Sequence, residues 1–193
     1  QNDSVPDDGN FELNLENVEF KDFKFNYIND ATAQEYRTKI KTMSLVGALS
    51  DQVFTTRATS ELQIISAKSG NISLVKNKPA TLEIGLNVNI DSGIVVIPKS
   101  TIHIAKLPFN FEGNVHNEGF TFDLTGKNIG IKDAANNFSM EQTNDIKKFS
   151  GTGTLLFELG IEGKNSAQTP VEVVCKFGIE EGTLTDPNSG ITM

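Results

Sequence analysis

The stretch "FELNLENVEFKDFKFNYIND", Phe11 to Asp30, alternates apolar and polar residues and decides the fold class. Successive side chains of a strand point to opposite faces, so Phe11, Leu13 and Leu15 share one face. The pair "EN" then shifts the phase before Val18 and Phe20, and "KD" shifts it again before Phe23, Phe25 and Tyr27. A slip of one residue turns every later side chain to the other face, which is the effect of a bulge or tight bend. The period itself leaves open what the apolar face touches: the protein's own core, a partner sheet, or a lipid chain.

The same period recurs along the chain. Leu62 alternates with Ile64, Ile72 with Leu74, and Leu82, Ile84, Leu86, Val88 and Ile90 form one long run. Ile102 with Ile104, Phe109 with Phe111, and Phe120, Phe122 and Leu124 continue it. Leu155, Phe157, Leu159 and Ile161, then Val171, Val173, Cys175, Phe177 and Ile179, complete it. Turn signals separate the runs: "KSGN" at Lys68, "NKPA" at Asn77, "IDSG" at Ile90, "HNEG" at His116, "EGKNSAQTP" at Glu162 and "DPNSG" at Asp186. Short strands between Gly- and Asn-containing turns predict consecutive antiparallel strands rather than βαβ units. Two segments read as helical: "DATAQEYRTKIKTM" from Asp30, and Asp133 to Phe149, whose Phe138, Ile146 and Phe149 loosely follow a helical period.

The fold class is therefore mainly β, an antiparallel meander in a curved, twisted sheet with one or two short helices. The sheet is either an open groove or half-barrel, or else closes as a β-sandwich whose dry faces fill each other. Residues 1–10, "QNDSVPDDGN", read as a linker, and 11–193 as one β-rich domain excised from a longer chain.

Composition excludes several functions. The chain has 193 residues, 37% hydrophobic and 22% charged, enough to bury a core, since single all-β domains run to roughly 200 residues. A formal net charge of −8 lacks the positive footprint of a nucleic-acid binder and disfavours docking on anionic headgroups. No apolar run approaches the roughly 20 residues of a membrane-spanning helix, and the first residues do not form a signal peptide.

No catalytic constellation emerges. His103 falls on the wet face between Ile102 and Ile104, and His116 sits in a turn, so the two histidines do not form a metal site. Cys175 is in phase with Val173 and Phe177 and reads as a small buried hydrophobe. The glycines of "GTGTLLFELG", from Gly151, are not followed by a helix or a closing Lys-Ser or Lys-Thr pair, so they mark a bend rather than a phosphate loop. "DPNSG" and "IDSG" lack the acidic spacing of a calcium loop. Adjacent Glu180 and Glu181 point to opposite faces, the wrong arrangement for an acid and base pair. Neither a cofactor nor a metal is expected, and an enzyme is disfavoured.

The opening stretch resembles the repeating segment of AsmA-like proteins of the bacterial envelope, where an F-x-L-x-L-x-x-V-x-[FI] rhythm leads into a Y-x-[ND] turn. "GFTFDLTGKNIGIKD", from Gly119, is similar to that family's strand-then-short-helix passage. The segment from Phe149 to Leu184 resembles its closing pattern: a G-x-G strand, a proline-initiated strand at Pro170 and an [IL]-x-x-G turn. These motifs span nearly the whole chain, and each is degenerate.

The resemblance implies a periplasmic, non-catalytic segment, anchored through a part of the parent protein outside this sequence. It implies a role in outer-membrane biogenesis, or in lipid transport that moves phospholipid between membranes along a β-groove. The expected partners are phospholipid or another acyl-chain lipid, and other envelope proteins or adjacent repeats of the parent chain. The in-phase residues taken as lipid-facing or core are Phe11, Leu13, Leu15, Leu82, Ile84, Leu86, Phe120, Phe122, Leu155 and Phe157. Alternation is equally the signature of a plain core. Two other functions stay open: a scaffolding β domain that pairs through its sheet edges, and a carbohydrate-binding β-sandwich, for which no Trp and two Tyr are poor equipment.

Overall fold

The computed structural model describes residues 11–30, 33–69, 72–137, 150–164 and 171–185. Nine strands form one antiparallel sheet in which spatial order equals chain order. They are β1 (Glu12–Asn29), β2 (Gln34–Ser50), β3 (Val53–Ser69), β4 (Ile72–Asn89), β5 (Ile94–Ile104), β6 (Leu107–His116), β7 (Gly119–Gly130), β8 (Ser150–Lys164) and β9 (Glu172–Thr185). One short helix, α1 (Ile131–Asn137), follows β7. The sheet is the expected meander and does not close, since β1 and β9 form its two edges.

Both phase slips of the opening stretch are present. The ladder between β1 and β2 shifts between Leu15 and Val18. At the second slip Asp22 has φ 53°, and β2 skips a residue against β3 between Ile40 and Thr42. Because β1 and β2 slip opposite one another, Phe20 still faces Met43 and Phe23 still faces Ile40. The Ser60 hydroxyl donates to the Thr42 carbonyl at 3.0 Å, satisfying a backbone group at the irregularity.

The segment from Asp30 that reads as helical is instead the start of β2. Tyr36 and Ile40, four apart, share a face in any strand, and the slip at Lys41 makes the next in-phase residue, Met43, three further on, so the set mimics a helix. Pairing with β1 and β3 on both sides overrides the local preference of Ala, Gln, Glu and Lys. "NKPA" at Asn77 is likewise no turn: it lies inside β4, where Asn77 takes φ 51°. The second helical expectation survives as the single short α1, and residues 138–149 lie outside the described residues, as does "DPNSG".

Burial is graded across the sheet. One cluster centres on Ile40, Leu62, Ile64, Val75 and Ala80, and a second on Leu107, Phe109, Ile129 and Ala134 of α1. A flat single layer leaves both faces wet, so this fall in exposure from the edges to the middle is what a curved face produces. Toward β1 and β9 the same apolar face opens to solvent: Phe23, Phe25, Val173 and Ile179 are all exposed. Cys175 is one of them. It shares the apolar face as expected, opposite Leu159, but it is exposed because β9 is an edge strand, which corrects the buried reading.

Candidate functional site

The cross-strand register assembles one apolar surface from all nine strands. Directly opposed residues of a ladder project on the same side. Phe20 faces Met43, Met43 faces Ser60, Ser60 faces Leu82, Leu82 faces Ile102 and Ile102 faces Phe109. The Phe109 ring then lies against Gly126, which pairs with Phe157, and Phe157 pairs with Phe177 at the far edge. At roughly 4.8 Å between strands, such a row runs on the order of 38 Å from edge to edge.

The residues expected on the dry face fall on this surface, with one exception. Leu13 and Leu15 face Leu49 and Gly47. Leu82, Ile84 and Leu86 face Ser60, Ala58 and Thr56. Phe120 and Phe122 sit between β6 and β8, and Leu155 and Phe157 between β7 and β9. Phe11 precedes β1; it is exposed, and its N–H donates to Asp51 Oδ2 at 3.2 Å. Leu45 and Leu49 of β2 belong to the same surface; they lie just beyond the segment read as helical and the sequence reading passes over them, although their alternation around Gly47 is a strand signal.

The lining is shaped by small residues. The floor along β2 and β3 is made of the small side chains Gly47, Thr56, Ala58 and Ser60. Farther along, large rings lie over glycines: Phe120 over Gly163, Phe109 over Gly126 and Phe122 beside Gly113. A Cβ at Gly163 or Gly126 would collide with those rings, so glycine lets each aromatic lie down along the sheet instead of standing into the space above it. Phe111 and Phe122 pack with ring centroids 6.0 Å apart. At the β4–β5 irregularity the buried Ser100 hydroxyl donates to the Pro98 carbonyl at 2.7 Å and accepts from Gly85 N–H at 3.2 Å. No buried polar side-chain atom among the described residues lacks a partner.

The opposite face is mostly polar, with Val46 and Val174 exposed among its charged residues. Glu112, Asp123, Glu158, Glu162 and Glu172 border a shallow depression there, with Lys176 and Glu158 3.7 Å apart. No group of His, Cys, Asp and Glu among the described residues is placed to hold a metal ion. His103 is exposed on the polar face, and Gly153 has φ 99° at the β8 irregularity, as the bend reading of "GTGTLLFELG" expects. Among the described residues, Glu35 is the carboxylate with a clear shift. The Ser66 hydroxyl donates to Glu35 Oε1 at 2.5 Å and holds the carboxyl below the usual glutamate range. Partial burial opposes this, and Arg37 and Lys68 reinforce it.

No helix among the described residues is long and apolar enough to cross a membrane. No protein-family model, curated protein or solved structure matches the chain.

Proposed function

We propose that this chain is a non-catalytic segment of a bacterial envelope protein whose open β-trough shelters lipid acyl chains moving between membranes during outer-membrane biogenesis. One observation carries the reading. A nine-strand sheet presents a single continuous apolar face, is not closed into a barrel, and leaves large hydrophobics on both edge strands in water. Contiguous exposed apolar surface marks a binding surface far more often than a free one.

An acyl chain suits this surface physically. Each methylene removed from water is worth about 0.8 kcal/mol, with no directional partner required. Among the described residues the lining offers no array of polar groups to read a headgroup, and its floor combines small residues with rings that lie along the sheet. The resemblance to AsmA-like proteins supports a periplasmic location and a membrane-anchored parent. A second reading draws on the outer edges of β1 and β9, which no described strand pairs: strand addition by an adjacent repeat or another envelope protein would make the domain a scaffold.

Native mass spectrometry of the purified chain, followed by solvent extraction, tests the first reading. Stoichiometric phospholipid, lost in Phe177→Asn with unchanged circular dichroism, supports the trough. A clean apo mass with no uptake of fluorescent phospholipid refutes it in favour of the scaffold.

A further inference from the structure

The apolar series of β1 reads alike in both directions. Leu13, Leu15, Val18, Phe20, Phe23 and Phe25 are spaced two, three, two, three and two residues apart, so the series is symmetric about Glu19. Tyr27 extends it on one side and Phe11, the residue before β1, on the other. The two wider steps are the two slips, at the Leu15/Val18 register shift and at Asp22 with its φ of 53°. No described strand pairs with the outer edge of β1.

Such symmetry has a physical meaning when a strand meets an antiparallel copy of itself. A twofold axis normal to the sheet at Glu19 sets Leu13 against Phe25, Leu15 against Phe23 and Val18 against Phe20, with both apolar faces on one side. The slip at residues 16–17 of one copy then faces the slip at 21–22 of the other, so each extra residue is matched, as β1 and β2 already slip opposite one another at Asp22. Sliding the copy by two residues sets Phe23 against Asn17, whose side chain lies on the polar face and accepts from the Ser44 hydroxyl at 2.7 Å. In the matched register Lys24 faces Asn14, and Glu16 faces Asp22, whose carboxylate is 3.7 Å from Lys39. At the axis two Glu19 meet, each 3.2 Å from its own Lys21 and diagonal to the Lys21 of the other copy, so four charges alternate in sign. The other edge, β9, has no such preference, because its unbroken alternation from Val173 to Ile179 is symmetric about every in-phase residue.

We infer that β1 pairs antiparallel with β1 of a second copy of this chain about a twofold axis at Glu19, joining two nine-strand sheets into one. Residues 11–27 of each copy form the ladder, on the order of 55 Å long, and it satisfies the backbone groups that a bare edge leaves unpaired. Bulges ordinarily protect an edge from pairing; here they select the one partner whose bulges fall opposite. The contact uses the edge and leaves the apolar face open, so the transverse row lengthens from one sheet to both, roughly 80 Å. The pairing rests on the edge-addition reading for its use of the free β1 edge, and it holds whether or not the face shelters lipid.

Sedimentation equilibrium and single-cysteine cross-linking in a Cys175→Ser background test the pairing. Expected is twice the chain mass, with Glu19→Cys forming a disulfide to its own copy under mild oxidation, since directly opposed Cα atoms lie about 4.5–5.5 Å apart. Lys24→Cys stands ten positions from its own copy along the ladder, about 33 Å, and should link to itself about ten-fold slower or less. Mixing Lys24→Cys with Asn14→Cys, which the register sets opposite, restores fast linking. Asn14, Glu19 and Lys24 are all exposed, so these variants leave the core untouched. A monomer at every concentration, or equal self-linking of Glu19→Cys and Lys24→Cys, overturns the pairing. A dimer in which Glu19→Cys stays reduced while the unaltered chain links through Cys175 also overturns it, and leaves edge addition standing at β9. A dimer free of phospholipid refutes the lipid path alone, so the failures are distinguishable.

Discussion

Alanine replacements of Phe109 and Phe177 test whether the apolar face is open at its edge. The two residues lie on the same transverse row, yet Phe109 is 6% exposed and Phe177 64%. Taking about 200 Å² for a phenylalanine, Phe109 withdraws roughly 190 Å² from water and Phe177 roughly 70 Å². The difference of about 120 Å², at about 25 cal/mol per Å², amounts to ~3 kcal/mol. Phe109→Ala also leaves a hole against Gly126 and Ile129, so it should cost about 3–5 kcal/mol, and Phe177→Ala about 1 kcal/mol. Phe20, 43% exposed on the opposite edge, should fall between them. Equilibrium urea unfolding measures all three, with an unchanged slope identifying the shifts as stability. Equal losses at Phe109 and Phe177 would mean that the β9 face is covered in solution, and the open trough would be refuted.

Three further outcomes follow from the geometry. Ser66→Ala removes the donor that lowers Glu35, so the carboxyl should titrate higher in a carbon-detected NMR series. A depressed folded pKa contributes stability above the unfolded value and loses it as pH falls through the folded one, so the variant's stability should depend less on pH in that acidic window; an unmoved Glu35 would discard this account. Gly163→Ala places a Cβ 2.5 Å from Phe120 Cζ and should cost about 1–3 kcal/mol in the same urea assay, whereas a neutral result would show that the ring does not rest there. Ala105, with φ 48° in the two-residue β5–β6 turn, should yield to asparagine with a gain of roughly 0.5–1 kcal/mol, about 2–3 °C in Tm. A drop in melting temperature would contradict the turn geometry.

The alternation made most of the sheet legible from sequence. The slips at "EN" and "KD" were readable because a strand has a period of two, against which one extra residue stands out. The same slip concealed β2, since Tyr36 and Ile40 share a face in any strand and the extra residue then puts Met43 three further on, the 4-and-3 spacing of a helix. "NKPA" misled for a related reason: Asn77 takes a positive φ at an irregularity inside a strand, where turn residues also gather. For the trough, alternation identified the face of Leu82, Ile84 and Phe122, but exposure depends on distance from the sheet edge, a property of topology. Cys175 shows this most directly, being in phase with the apolar face and yet exposed.

A sheet in which, among the described residues, each strand hydrogen-bonds only to its predecessor and successor is close to a one-dimensional array in energetic terms. Its stability is close to a sum of hairpin terms and neighbour interfaces, so cooperativity extends only as far as those interfaces transmit it. Zippering can start at any tight turn and spread both ways, with the β5–β6 hairpin well placed to begin because its loop is two residues long. Length is then a free parameter of the design: a hairpin gained or lost between neighbours changes the span of the apolar surface by two strand widths while leaving every other ladder as it was.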